Sequence, residues 1–192
     1  MPAASEFAHN LAATAEQQHT KYLRLPETSP QLSAQIKKYW EDLGYPFPGV
    51  KEAWSAVFVS WCVKTAGATA QEFKFNPLHS VFVNWAIHNA ANHTGLFRAY
   101  ELDSYAPQIA DIIQNNQPGH NYNYNYAKTH AEYHSHSAIV TEVGHDGDGP
   151  YLMTVGGNES DAIRMTRHAL TAQGLIVQRS PQAFICIIRD LK

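Results

Sequence analysis

The sequence predicts a single α+β domain, in which N-terminal helices pack on an antiparallel β-sheet. Apolar residues recur at helical spacing in the first half of the chain, whereas short β-branched runs dominate from residue 109 onwards. Helices followed by strands, rather than alternating with them, are typical of the α+β class. The length of 192 residues accommodates one domain of roughly 150 residues with a modest decoration.

Composition excludes several functional classes. Apolar residues make up 44% and charged residues 16%, which is typical of a chain that folds on its own. A net charge of −3 without a basic run argues against a nucleic-acid partner. Eleven histidines make the charge depend on pH near neutrality. Cys62 and Cys186 lie in apolar runs, so we expect reduced core thiols and no disulfide.

The first residues lack a basic start followed by an unbroken apolar stretch, which is the pattern of a secretory signal. No segment approaches the roughly 18 consecutive apolar residues of a membrane span. We therefore expect a soluble protein without a transmembrane segment, made in the cytoplasm. Any export to the periplasm would then use a route other than a cleaved signal peptide.

Four helices are predicted from apolar spacing and from their start and stop signals. Ser5 caps the first, and Ser29-Pro30 opens a second that ends before Gly44. The third, WSAVFVSWCVKTA, begins after a Pro/Gly-rich break and is apolar almost all round, which places it in the middle of the domain. The fourth extends from Ser80 to about residue 93.

Six runs in the second half predict strands, at 109–113, 137–143, 151–155, 163–166, 175–177 and 184–188. Asp146-Gly147 suits a hairpin turn between two of them. The two aspartates of that turn lack the rest of a calcium-loop spacing, so no calcium site is predicted. Residues 114–133 are polar and rich in Asn, Tyr and His, which predicts a long loop of the kind that binds ligands or covers sites.

Three residues form a candidate catalytic set. Ser55 stands at the start of the buried helix, where unpaired N–H groups favour a developing negative charge. His136 begins one strand run, and Asn158 follows Gly156-Gly157 at the end of the next, so neighbouring antiparallel strands bring them together. A hydroxyl, an imidazole and an orienting amide are the parts of an acyl-transfer triad. Taken singly, Ser55 is also explained as a helix cap, His136 as a surface histidine and Asn158 as a turn residue.

Five segments occur in an order that resembles the papain-like CHAP and NlpC amidase/peptidase superfamily. They are WSAVFVSWCVKTAG, Pro77-Leu-His-Ser-Val, APQIADII at 106–113, His136-Ser-Ala-Ile-Val and Val155-Gly-Gly-Asn158. The chain looks most like an uncharacterised branch in which Trp-Ser-Ala replaces Trp-Cys-Ala at the nucleophile helix. The resemblance covers residues 30–190 and leaves 1–28 as an N-terminal helical extension to a core of 29–192.

The resemblance implies a papain-like α+β fold with Ser55 as nucleophile, His136 as base and Asn158 as the third residue. It also implies that His79 lines the substrate cleft, although His79 reads equally as a packing residue before the fourth helix. Trp54 reads first as a core residue, and its place beside Ser55 also makes it a candidate for the cleft wall. Serine in place of cysteine means that the nucleophile depends wholly on its base, or that the site is inactive. Cys62 is the weaker nucleophile candidate, because it lies about 10 Å further along the helix axis.

These features together predict a hydrolase of amide or acyl bonds, with peptidoglycan stem peptides as the default substrate. Without a signal peptide, the association is with an antibacterial effector, a toxin with an immunity or secretion partner. Two alternatives stay open: a serine esterase or lipid acyl hydrolase or transferase, and a pseudoenzyme that binds a peptide or glycan without cleaving it. His120, His130, His134 and His136 with Glu132 raise a rival zinc hypothesis, but their spacing is not diagnostic, so no metal or cofactor is predicted.

Overall fold

The structure, a computed structural model, describes residues 4–192, and this part of the chain forms five helices and one antiparallel sheet. The helices are α1 (Glu6–Lys21), α2 (Pro30–Asp42), α3 (Ser55–Thr65), α4 (His79–Asn92) and α5 (Tyr124–Thr129). The strands are β1 (Phe97–Tyr100), β2 (Ile112–Asn116), β3 (Ser135–Asp146), β4 (Gly149–Gly156), β5 (Arg164–Ala169) and β6 (Phe184–Asp190). The sheet has the order β1-β6-β2-β3-β4-β5, and the predicted α+β class is confirmed.

The four predicted helices are confirmed to within about a residue at each end, because the Ser5 cap, Pro30 at the start of α2 and the glycines that follow α2, α3 and α4 are local signals. Two elements escaped prediction. Strand β1 has only four residues, and α5 lies in the polar stretch, where its start depends on Asn123, whose side chain accepts a hydrogen bond from Tyr126 N at 2.9 Å. Short elements without an apolar period carry little sequence signal.

Two predicted strands differ from the structure. The run at 109–113 begins its strand only at Ile112, because Ala110 has a left-handed φ of 74° and Asp111 follows in a turn. A left-handed φ strains an alanine, whereas glycine adopts it without strain. The run at 175–177 forms no strand, only an isolated bridge between Leu170 and Ile176. The β3–β4 hairpin turn lies at Gly147 and Asp148, one residue beyond the predicted Asp146-Gly147 pair, and the positive φ is at Gly149.

Side chains of successive residues in a strand point to opposite faces of the sheet. Both faces of this sheet are apolar. The face under the helices belongs to the main core and includes Ile112, Ile139, Val155 and Ile188. The opposite face carries a smaller cluster that includes Ile113, Val140, Leu152 and Ile187. Helix α3 lies inside the main core as predicted, with nine of its eleven residues buried. The core therefore fixes the position of the first turn of α3 relative to the sheet.

Helix α1 contributes to the same core through buried apolar residues such as Phe7, Leu11 and Ala15. The Phe7 ring meets Phe97 of β1 edge to face, with ring centroids 5.9 Å apart. Both cysteines are free and buried, as predicted, and burial raises the pKa of each thiol. Within residues 4–192, no helix combines the length and apolar character needed to cross a bilayer.

The two serine N-caps allow a matched test of helix capping. Ser5 Oγ accepts a hydrogen bond from Ala8 N at 3.0 Å, whereas Ser29 Oγ is buried and has no hydrogen-bond partner among the described residues. Ser5→Ala should lower the free energy of unfolding by about 1 kcal/mol, and Ser29→Ala by less than about 0.5 kcal/mol. Urea denaturation followed by circular dichroism measures both, and equal losses would contradict this account of the caps.

Candidate active site

Ser55 is the first residue of α3 and is almost fully buried. The N-cap residue, Trp54, provides no side-chain cap, and the first hydrogen bond of the helix runs from Phe58 N to Trp54 O at 2.9 Å. The N–H groups of Ser55, Ala56 and Val57 therefore have no partner within the helix. Unpaired N–H groups and the positive end of the helix dipole favour negative charge beside the Ser55 hydroxyl.

Trp54, which the sequence suggested as a substrate-binding residue, has no exposed surface and does not line the cavity at Ser55. Its indole Nε1 donates a hydrogen bond to Glu27 Oε2 at 2.8 Å, and its ring stacks on Tyr39 with centroids 6.3 Å apart. The Trp54 indole therefore lies within the core. Through its contacts with Glu27 and Tyr39, Trp54 holds the start of α3 in place.

His79 lies closer to Ser55 than the sequence indicated. It is the first residue of α4, and its Nε2 is 2.6 Å from Ser55 Oγ. The ring packs against Phe82, and its Nδ1 is buried with no hydrogen-bond partner among the described residues. Burial, together with the nearby His136, holds the pKa of His79 well below its usual range. The imidazole of His79 is therefore neutral at physiological pH.

His136 is paired with a carboxylate. It lies at the start of β3, and its Nε2 is 2.9 Å from Oε1 of Glu159, which follows β4. Thr166 of β5 donates a hydrogen bond to the other oxygen of Glu159 at 3.3 Å. Burial opposes the ionisation of Glu159, but the hydrogen bond and charge of His136 outweigh it, and the pKa of Glu159 is lowered. Glu159 is therefore an ionised partner for the imidazole.

Ser55, His136, Asn158 and Glu159 line one cavity of about 420 Å³. The rings of His79 and His136 approach edge to face with centroids 5.4 Å apart, so His136 lies beside the imidazole that contacts the Ser55 hydroxyl. The predicted catalytic residues thus share a cavity, but the group that hydrogen-bonds His136 is Glu159, the residue after Asn158. Among the described contacts, no hydrogen bond joins Ser55 to His136. The catalytic roles of these residues stay predictions.

Glu159 lies in the loop beyond the end of β4, where no sequence pattern pointed to it. Asn158 has a left-handed φ of 57°, and the chain reverses there so that the next side chain points back towards β3. The pair Gly156-Gly157 is the sequence feature that indicates close packing at this point. Two consecutive glycines at the end of a buried strand indicate that other groups approach the backbone closely.

Each of the two glycines leaves room for a different contact. A Cβ at Gly156 would lie 2.1 Å from Glu159 Oε1 and 3.0 Å from His136 Nε2. A Cβ at Gly157 would lie 2.7 Å from Phe58 Cβ and from Trp54 Cζ3. The first glycine thus gives space to the His136–Glu159 pair, and the second lets the first turn of α3 pack on the end of β4.

The other candidates lie away from this arrangement. Cys62 is fully buried on α3 and does not line the cavity. The histidines of the polar stretch stack with tyrosines instead of converging: Tyr126 and His130 are parallel at 3.9 Å, and His120 stacks on Tyr122 at 5.0 Å. Within residues 4–192, no group of three or more His, Cys, Asp or Glu side chains is arranged to hold a metal ion.

Comparison with known proteins links the chain to one family. Residues 14–187 match the bacterial family described as "Uncharacterized protein conserved in bacteria (DUF2272)". No curated protein and no solved structure matches the chain. The match includes Ser55, His79, His136 and Glu159, so the whole candidate site lies within the family region.

The two glycines predict separable effects of a single added methyl group. Gly156→Ala should displace the side chains of Glu159 and His136 and abolish their hydrogen bond, while the flexible carboxylate moves aside at little cost in stability. Gly157→Ala should lower the free energy of unfolding by about 1–3 kcal/mol, because it overpacks the core. The hydrogen-bonded imidazole proton in ¹H NMR and urea denaturation measure the two effects. Retention of that proton signal in Gly156→Ala would contradict the geometry.

Proposed function

This chain belongs to the DUF2272 family of bacterial proteins, and we propose that it is a serine-dependent hydrolase of amide or acyl bonds. One observation carries the proposal: the Ser55 hydroxyl, at the start of a buried helix, contacts the imidazole of His79 and shares a cavity with the His136–Glu159 pair. A hydroxyl becomes a nucleophile at neutral pH only when a base takes its proton. His136, supported by an ionised carboxylate, is the better base of the two imidazoles, since the neutral, buried His79 does not hold a second proton.

The hydrogen bonds available to the two ring nitrogens of His79 indicate its role. If Ser55 donated to His79 Nε2, the proton of the neutral ring would be on Nδ1, a buried donor without a partner. The reverse arrangement, in which His79 Nε2–H donates to Ser55 Oγ, leaves only an unpartnered acceptor. The Ser55 proton is then free to point to His136. His79 therefore positions the Ser55 oxygen and stabilises negative charge on it.

The reaction follows from these positions. Ser55 Oγ attacks the substrate carbonyl carbon while His136 takes the hydroxyl proton, and Glu159 stabilises the imidazolium that forms. The N–H groups in the first turn of α3 stabilise the oxyanion. His136 returns the proton to the leaving amine or alcohol, and an acyl group remains on Ser55. Water, activated by the same imidazole, then releases the acid and restores the serine.

We propose a papain-like arrangement for this site. The chain order of its parts supports this assignment: the nucleophile at the start of a buried helix, then a histidine at the start of a strand, then a polar residue after the next strand. We propose Glu159 as the third member of the catalytic set, and Asn158 lines the cavity wall. Serine at position 55 departs from the cysteine of that superfamily, so deprotonation depends on the His136–Glu159 pair.

Peptide bonds of the cell wall are the substrate that we propose first. Most side chains that line the cavity are polar, which suits a peptide better than an acyl chain. Action on peptidoglycan would suit an antibacterial effector with an immunity or secretion partner. Two observations favour other functions: serine suits ester substrates, and the absence of a described Ser55–His136 hydrogen bond suits a pseudoenzyme that only binds. Apo sites often close such contacts when substrate binds.

Muropeptides released from purified sacculi test the proposal. Ser55→Ala and His136→Ala should each lower product formation by about 10³-fold or more, and Glu159→Gln by about 10²-fold, because the first two remove the nucleophile and the base. Ser55→Cys should retain activity if the papain-like geometry is right. Ser60→Ala is the matched control, since Ser60 is a buried serine of the same helix whose Oγ bonds the backbone of Asn76.

Products that appear with wild type and Ser60→Ala but not with Ser55→Ala establish a serine-dependent hydrolase, and their masses identify the bond. If wild type and Ser55→Ala both match untreated sacculi, peptidoglycan is the wrong substrate. Release of p-nitrophenol from p-nitrophenyl butyrate then decides between an esterase and the pseudoenzyme. An esterase loses this activity in Ser55→Ala, and a pseudoenzyme never has it.

A further inference from the structure

The cavity at Ser55 also contains a cationic region formed by the last strands of the sheet. Its lining includes Thr154 of β4, His168 of β5, Arg179 and, at the start of β6, Phe184. Arg179 lies in the segment between β5 and β6 and is half-buried. The proposed reaction at Ser55 uses none of these residues, so their arrangement calls for a separate explanation.

Arg179 is held in place without any carboxylate. Its Nε donates to the carbonyl oxygen of Gln182 at 3.0 Å, and its guanidinium lies over the Phe184 ring at 4.6 Å. Its backbone N–H donates to Oε1 of Gln178 at 3.0 Å. These contacts fix the plane of the guanidinium and engage Nε. The terminal Nη1 and Nη2 groups form no hydrogen bond among the described contacts.

The charge of Arg179 is not balanced by an ion pair within residues 4–192. Burial lowers the pKa of Arg179, and only the more distant charge of Glu159 opposes that effect. Arg167 on β5 is a useful contrast, because its guanidinium is paired with Asp146 at 2.7 Å on the protein surface. A partly desolvated cation without a partner is costly unless an anion binds it.

The neighbouring side chains of Arg179 do not themselves supply such an anion. Burial and then the charge of Arg179 lower the pKa of His168 to about 4, so this histidine is neutral, and it contacts Thr154 Oγ1 at 3.0 Å. Glu159 is engaged by His136 and Thr166 and does not reach ion-pair distance from Arg179. Arg164 adds a second positive charge to the cavity lining, and its Nε donates to Glu159 O at 2.8 Å.

We propose that Arg179 binds a carboxylate of the substrate, so that the site selects peptides with an acidic side chain or a free carboxyl group near the bond at Ser55. This inference deepens the proposed function and depends on it for the identity of the ligand as substrate. Two terminal nitrogens of one fixed guanidinium match the two oxygens of a planar carboxylate. A phosphate group, with more oxygens and charge, usually engages several donors at a helix N-terminus or loop.

Binding of two matched peptides tests the inference without any need for turnover. The probes are N-acetyl-Ala-Glu-Ala-amide and N-acetyl-Ala-Gln-Ala-amide, titrated into the full-length Ser55→Ala protein and followed by ¹H–¹⁵N NMR. We expect the Glu peptide to bind at least about 10-fold more tightly, the effect of one charge-assisted contact. Arg179→Gln should abolish this preference, and Arg179→Lys should keep part of it. Arg167→Gln, which removes an equal charge outside the cavity, should leave it unchanged.

Several outcomes would overturn the inference. Equal affinity of the parent protein for the two peptides, or a preference that survives in Arg179→Gln, would show that Arg179 does not bind a carboxylate. Inorganic phosphate that displaces the Glu peptide at lower concentration than acetate does would assign the site to phosphate instead. A protein that hydrolyses nothing but keeps an Arg179-dependent preference would refute the proposed function alone. Hydrolysis without this preference would refute only the role of Arg179.

Discussion

The packing of the first turn of α3 on the end of β4 is the contact on which the candidate site depends. Gly157 permits it, because any larger residue there would collide with Phe58 and Trp54. Glu27 accepts a hydrogen bond from the indole of Trp54, so the start of α3 is held by a second contact as well. Ser55 consequently lines the same cavity as His136 and Glu159 at the strand ends. One tight backbone contact thus brings together residues that are 104 positions apart in the chain, from 55 to 159.

Local signals in the sequence predicted the framework of the domain, and tertiary contacts decided the rest. The apolar spacing and the Ser, Pro and Gly residues that bound α1 to α4 are properties of neighbouring residues, so the positions of these helices were readable. The strands β3, β4 and β6 carry β-branched runs, whereas β1 is short and pairs only because β6 lies beside it. Ser55, His136 and Asn158 were identified from their element ends. The contact of His79 with Ser55 and the hydrogen bond of Glu159 depend on how α4 and the loop after β4 fold back, which no local pattern records.

His79 and His136 have different environments, and we propose that this difference gives them different catalytic roles. His79 is buried against Phe82 and contacts Ser55, and burial together with the charge of His136 lowers its pKa well below the usual range. His136 has an ionised carboxylate on Nε2 and lies in the cavity wall, where a substrate proton can reach it. A serine nucleophile needs a base that holds a proton during the reaction, and a fixed donor that steadies its oxygen. Arg179, further along the same cavity, adds a charge suited to the substrate rather than to the reaction.

Covalent labelling of Ser55 tests the central claim most directly. Intact-mass spectrometry after incubation with an alkyl fluorophosphonate measures whether an activated serine displaces fluoride, whatever the natural substrate is. The account predicts one adduct in the wild type, mapped to Ser55 by peptide sequencing, and also in Asn158→Ala, but none in His136→Ala. An unmodified wild-type protein, or an adduct that persists in His136→Ala, would contradict a nucleophile activated by the His136–Glu159 pair.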